Sequence, residues 1–265
     1  MSSFKNIQSV SQRKADFKNL FMRIAPHKNR YTVFSDFCFC MAASFRNALG
    51  HKYPEHFSNE TESEYKTVML QYALNDRCAI AELMGSFIWL AELQQEPYDL
   101  LGEFFMEMEL GEITSGQFFT PFALSLMAAK ISLGDIKEQL KDKPFLSVSD
   151  PACGAGSTLL AVVSEFISQG VNPNQKLFVH GIDIDRTVAL MCYVQLSIWH
   201  VPAEIIVGNS LTLEMRETWH TPAFQLGGWQ LRTNQLKRPS PSIQKEPQEQ
   251  PQDEINFVLV GQSYF

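Results

Sequence analysis

The feature that most restricts this chain is Asp150-Pro151-Ala152-Cys153-Gly154-Ala155-Gly156-Ser157, set between an apolar run and a helical stripe. The run is Phe145–Ser149; the stripe is Leu159, Leu160, Val163, Phe166 and Ile167. A strand that becomes a helix this quickly needs glycines where the backbone approaches something closely. The helix start behind them offers unpaired N–H groups. The pattern then repeats. Leu177–Gly181 and Glu204–Val207 read as two more short strands, with Val188, Met191, Cys192, Leu196 and Trp199 as the helical stripe between them. Strand–helix–strand–helix–strand with short connections predicts an α/β fold with a parallel, Rossmann-like sheet. Right-handed crossovers would set the strands side by side.

A Gly-x-Gly turn alone fits a structural turn, a nucleotide loop or a dinucleotide site. Leu159 stands where the dinucleotide fingerprint requires its third glycine. Asp183 ends the second strand in Gly181-Ile182-Asp183-Ile184-Asp185, where a carboxylate can accept hydrogen bonds from both hydroxyls of a ribose. The other role open to Asp183 is a helix cap, for which Asp185 is better placed. Ligands of parallel sheets sit at the carboxyl ends of the strands, so turn and carboxylate would address one site.

Residues 1–115 read as a helical subdomain. Apolar residues recur at helical spacing from Lys66 to Leu93, and shorter helices are expected at Asp16–Ile24 and Asp36–Leu49. Residues 116–236 form the expected α/β domain, opened by a helix near Pro121 with the stripe Leu124, Met127, Ala128 and Ile131. Residues 237–254, rich in proline and glutamine, read as a linker. Residues 255–265 turn apolar again, as a strand or a tail.

Composition excludes several classes. With 45% hydrophobic residues, 19% charged and 20 phenylalanines, the chain can fill an aromatic core. No apolar run approaches the roughly 20 residues that span a bilayer, so no membrane association is expected. Five cysteines without a disulfide framework suit a reducing, cytoplasmic setting, and Cys38 and Cys40 lack the second ligand pair that a zinc site needs. The net charge of −7 argues against gripping DNA alone, so nucleic-acid contact is expected through a basic partner or a basic face formed only on folding.

The octapeptide resembles the S-adenosylmethionine loop of the adenine-N6 DNA methyltransferases, above all the modification subunits of type I restriction-modification systems. Gly116-Gln117-Phe118-Phe119-Thr120-Pro121 is similar to the segment that packs on the methionine end of the cofactor in that family. Asp99-Leu100-Leu101-Gly102-Glu103-Phe104 resembles the helix leading into it, and Gly208-Asn209-Ser210-Leu211 the turn beside the adenine ring. The resemblance, over residues 98 to 211, implies S-adenosyl-L-methionine as cofactor. It implies that Phe119, Thr120 and Pro121 contact its methionine end, while Asp150, Ala152, Gly154 and Gly156 contact it from the loop. Asp183 would hold the ribose, Ile184 would stack on the adenine, and Asn209 would lie near its amino group. No metal is implied, and Cys153 reads as a small packing residue.

The family's catalytic Asn/Asp-Pro-Pro-Tyr/Phe, which positions a flipped adenine, is absent from the sequence. Its place after a fourth strand falls on Ile255–Val260 followed by Gly261, Gln262, Ser263 and Tyr264, so Tyr264 is the one catalytic candidate, in a degenerate motif. The same stretch also reads as a tail that docks on another protein. Too few residues follow Gly208 for the rest of a methyltransferase sheet at roughly 30 residues per βαβ unit. The expectation is therefore a partial sheet whose edge is covered by Trp219–Trp229. Its two tryptophans would pack rather than stack on bases. Three readings stand: a DNA adenine-N6 methyltransferase acting with a partner subunit or as an oligomer, an inactive S-adenosylmethionine-binding descendant, and a nucleotide-binding module of another class.

Overall fold

The computed structural model describes residues 2–110, 120–236 and 258–259. Helices α1 (Ser2–Arg23), α2 (Arg30–Asn47), α3 (Asn59–Leu70), α4 (Leu74–Glu92) and α5 (Leu100–Glu107) form the N-terminal block. Then come α6 (Phe122–Leu133), α7 (Ile136–Gln139), β1 (Leu146–Asp150), α8 (Ser157–Ser168), α9 (Pro173–Lys176), β2 (Leu177–Asp183), α10 (Arg186–Ile198) and β3 (Ala203–Asn209). The last are β4 (Glu214–His220), α11 (Pro222–Leu226), α12 (Trp229–Leu236) and β5 (Val258–Leu259).

The strands make one sheet in the order β4-β3-β2-β1-β5. β1, β2, β3 and β5 are parallel, with Asp150 level with Gly181 and Asp183 level with Val207. This is the mixed α/β architecture that the alternation predicts. The strand expected within Ile255–Val260 pairs with β1 through Val258 and Leu259. One strand was not legible. β4 runs antiparallel to β3, whose edge it covers from Glu214 to His220, ahead of the segment expected to do so. Its sequence is charged and its first three residues are exposed, so no apolar alternation announces it. That polarity suits an edge strand, which must not recruit further chains. Trp219 and Trp229 are both buried, Trp219 edge-on to Tyr193 and Trp229 edge-on to Phe145.

The N-terminal block is built on phenylalanine. Phe17 stacks on Phe104 at 4.4 Å between centroids, and Phe34 and Phe37 meet Phe105 and Phe87 edge-on. The expected helix across Lys66–Leu93 is two helices. The break at Gln71–Ala73 lets Tyr72 turn inward, where its hydroxyl donates to Asp36 at 2.6 Å. α2 packs against α10, which is buried at every residue from Thr187 to Ser197. A helix enclosed on all sides joins the block to the sheet, and one continuous apolar core runs from Phe17 to Trp219.

α6 reverses its expected orientation. Leu124, Met127 and Ile131 are exposed, and Ser125, Ala129 and Leu133 are buried. Small residues let α6 lie close against α8, and the Ser125 and Ser157 hydroxyls hydrogen-bond at 3.0 Å. Steric fit therefore chose the face. Cys38 and Cys40 lie buried on α2, and among the described residues no three His, Cys, Asp or Glu side chains are grouped as metal ligands. No helix among them is long and apolar enough to cross a membrane.

Candidate functional site

The octapeptide turns at the carboxyl end of β1 and reaches across the end of β2. The Cys153 N–H donates to the carbonyl of Ile182 at 2.9 Å, prolonging the strand pairing into the turn. The Gly154 N–H then donates to Asp183 Oδ2 at 2.9 Å, while the Asp185 N–H donates to Asp183 Oδ1 at 2.9 Å. Asp183 thus clasps the turn without capping α10. The cap is Asp185, whose side chain accepts from the Val188 N–H. A carboxylate oxygen has two lone pairs, so each oxygen of Asp183 retains acceptor capacity beyond its backbone bond. Burial raises the Asp183 carboxyl above its ordinary value of 3.8, and the two N–H groups partly offset this.

Each sequence candidate has a definite place. Ala152 is exposed and Gly154 half-buried, with Gly154 in the left-handed region at φ 56°. Gly156, at φ 97°, is buried and begins α8; a Cβ there would lie 2.8 Å from Cys192 Sγ. It serves the packing of the turn on α10 rather than forming an open surface. Asp150 is also buried. One of its oxygens accepts from the Ala152 N–H at 3.0 Å, and the other accepts from the Thr158 hydroxyl. It braces the loop from behind, and burial raises its carboxyl too. Cys153 is buried against Gly181, its thiol pushed up by the neighbouring Cys192 and by burial.

Ile184 is 60% exposed beside Asp183, an apolar side chain next to the carboxylate. Thr120 and Pro121 are exposed, and the Thr120 carbonyl accepts from the Ser157 hydroxyl at 3.2 Å, which ties the segment before α6 to the start of α8. Asn209 closes its own turn, its side-chain oxygen accepting from the Leu211 and Thr212 N–H groups at 2.9 and 3.2 Å. What it has left to offer a ligand is its amide donor. Phe119, Gly261, Gln262, Ser263 and Tyr264 lie outside the described residues.

Two supports were not foreseen. Arg186, at the start of α10, grips Glu64 of α3 through two nitrogens at 2.7 and 2.9 Å and Glu217 of β4 at 2.8 Å, with Phe39 beneath its guanidinium. Arg216 donates to the carbonyl of Ile184. Both fix the end of β2 from outside the turn, through partners too distant in sequence to leave a local signal.

A glycine turn on one parallel strand, clasped by a carboxylate ending the next, belongs to an α/β fold with a Rossmann-like sheet of the methyltransferase kind. Residues 98–226, just under half of the chain, match the family model described as N-6 DNA Methylase, and this region is similar to that family. The cofactor of the family is S-adenosylmethionine. Two solved structures are similar to it. One is a protein from Listeria monocytogenes assigned to the class I S-adenosylmethionine-dependent methyltransferases, with 13% identity, TM-score 0.39, 75% of this chain and 52% of that one covered. The other is a type I restriction-modification system methyltransferase subunit from Streptococcus thermophilus, with 12% identity, TM-score 0.38, 74% and 56% covered. The chain thus spans about half the length of these proteins. No curated protein matches it.

The residues at the turn fit the nucleoside half of this cofactor. They comprise an acceptor carboxylate, an exposed apolar side chain that adjoins it and an amide donor at the end of β3.

Proposed function

We propose that this chain binds S-adenosylmethionine at the carboxyl ends of β1 to β3 and takes part in methylation of adenine N6 in DNA together with a partner protein. The observation that carries the reading is the 2.9 Å bond from the Gly154 N–H to Asp183, which holds turn and carboxylate at one site. In this reading Asp183 accepts from the ribose hydroxyls, Ile184 lies against the adenine, and Thr120 and Pro121 border the methionine end. Bound there, the cofactor supplies an electrophilic methyl group. The chain's own residues bind and orient it.

The partner is argued from charge and motif. A chain of net charge −7 lacks the basic excess that DNA binding draws on. These 265 residues also contain no Asn-Pro-Pro-Tyr to align an adenine amine, and much of the rate of such a transfer lies in that alignment. The same missing tetrapeptide favours a second reading, a protein that retains the cofactor without turning it over.

Calorimetry with S-adenosylhomocysteine tests the site. Asp183→Ala removes two bonds to a charged acceptor and is expected to cost about 2–4 kcal/mol of affinity. Unchanged affinity would remove Asp183 from the site. Methyl transfer from labelled cofactor to DNA, by the chain alone and with its genomic neighbours, then separates the two readings. Incorporation only with a neighbour supports the partnered enzyme, and binding with no incorporation on any substrate supports the second reading.

A further inference from the structure

The Asp99-Leu100-Leu101-Gly102 motif lies well before the glycine turn, yet the two meet through one side chain. Gln195, on the third turn of α10, is buried with 3% of its surface exposed. Its Nε2 donates to Asp99 Oδ1 at 2.8 Å and to the carbonyl of Ala155 at 2.9 Å. Its Oε1 accepts from the Leu101 N–H at 3.1 Å. Both amide hydrogens and an acceptor site are thereby used, in a place without access to water. Asp99 is itself buried. It caps α5 by accepting from the Gly102 N–H at 2.8 Å, and a Cβ on residue 102 would fall 2.3 Å from Asp99 Oδ2. The aspartate and the glycine of the motif are therefore one device: only a residue without a side chain leaves room for the carboxylate that receives Gln195.

We propose that Gln195 is a positioning residue for the cofactor turn, joining the Ala155 carbonyl to the start of α5 so that the helical block sets the turn's height above the sheet. The proposal rests on reading the turn as the cofactor site. The Ala155 carbonyl lies between Gly154, whose N–H reaches Asp183, and Gly156, which seats the turn on α10. Without Gln195 that carbonyl has lost its donor, and the peptide is held only by its N–H, on Gly156, which donates to the carbonyl of Cys153 at 2.9 Å. Gly156, on one side of that peptide at φ 97°, has no Cβ to resist a change of its backbone angle once the carbonyl is released.

The test compares Gln195→Met, which keeps length and burial but removes the hydrogen bonds, with Tyr193→Phe. The latter removes a bond from the same turn of α10 to the His220 carbonyl on β4, away from the glycine turn. For each variant, S-adenosylhomocysteine affinity is measured by calorimetry, melting temperature by circular dichroism, and amide hydrogen exchange over residues 153–157 in the ligand-free protein. Gln195→Met is expected to weaken binding about tenfold, the equivalent of one buried hydrogen bond, and to speed exchange in the turn. Tyr193→Phe is expected to shift the melting temperature while binding and turn exchange stay as in the wild type. Wild-type affinity and exchange in folded Gln195→Met would overturn the proposal. So would equal losses of affinity in the two variants at equal loss of stability. Should Gln195→Met not fold, Gln195→Glu, which retains an acceptor for Leu101, carries the same comparison. If the wild type binds no S-adenosylhomocysteine, the cofactor reading fails, and exchange in the turn still decides whether Gln195 holds it.

Discussion

At the scale of single residues, the site depends on groups that cannot be exchanged for close relatives. Gly156 combines a φ of 97° with a wall 2.8 Å from where a Cβ would stand. Gly156→Ala must pay for a left-handed backbone and push Cys192 and α10 away, so a loss of about 2–4 kcal/mol is expected in urea unfolding. A loss below about 1 kcal/mol would show that the turn relaxes without moving α10. Asn209 makes a chemical prediction. Its side-chain oxygen is held by the backbone of its own turn, which leaves the amide to donate. A donor suits adenine N1, an acceptor, and not the amino group that the family resemblance placed there. Asn209→Asp keeps the turn but replaces the donor by an acceptor, and S-adenosylhomocysteine binding should weaken by about tenfold, the scale of one hydrogen bond. Tighter binding would return the amino group to this position.

At the scale of elements, α6 shows how a periodic pattern misleads. Leu124, Met127 and Ile131 have the spacing of a buried stripe, and the structure leaves all three exposed. The helix lies against α8 along Ser125 and Ala129, where bulk would hold the two helices apart. Ile131→Lys should therefore change stability by no more than about 0.5 kcal/mol, as surface changes do. Ala129→Leu, which forces extra volume between packed helices, should cost about 1–3 kcal/mol. Thermal or urea unfolding of the pair checks the assignment of faces, and the reverse order of effects would refute it. β4 teaches a complementary lesson. A charged edge strand carries little apolar alternation, so its existence rests on the unpaired backbone of β3.

At the scale of the whole molecule, the helical block and the sheet share a single core through α10. Neither can lose its packing without exposing the buried residues of the other. Heat or urea should therefore produce one transition, with far-ultraviolet circular dichroism and the fluorescence of the four tryptophans, Trp89, Trp199, Trp219 and Trp229, superimposing. Two separated transitions would show that the block and the sheet fold independently.

The sequence by itself determined the parallel α/β pattern, the glycine turn and the carboxylate at the end of β2. These follow from short-range rules: the period of apolar residues, the glycines that a strand-to-helix turn requires, and the residue that ends a strand. Only the tertiary structure decided which face of α6 is buried, that β4 pairs antiparallel with β3, and that Asn209 spends its acceptor on its own turn. It also joined Arg186 to Glu64 across 122 positions and Gln195 to Asp99 across 96. Periodicity specifies an element and its candidate surfaces. Which surface is used, and which buried polar groups find one another, depends on the volume and unpaired atoms of neighbours that come together only when the chain folds.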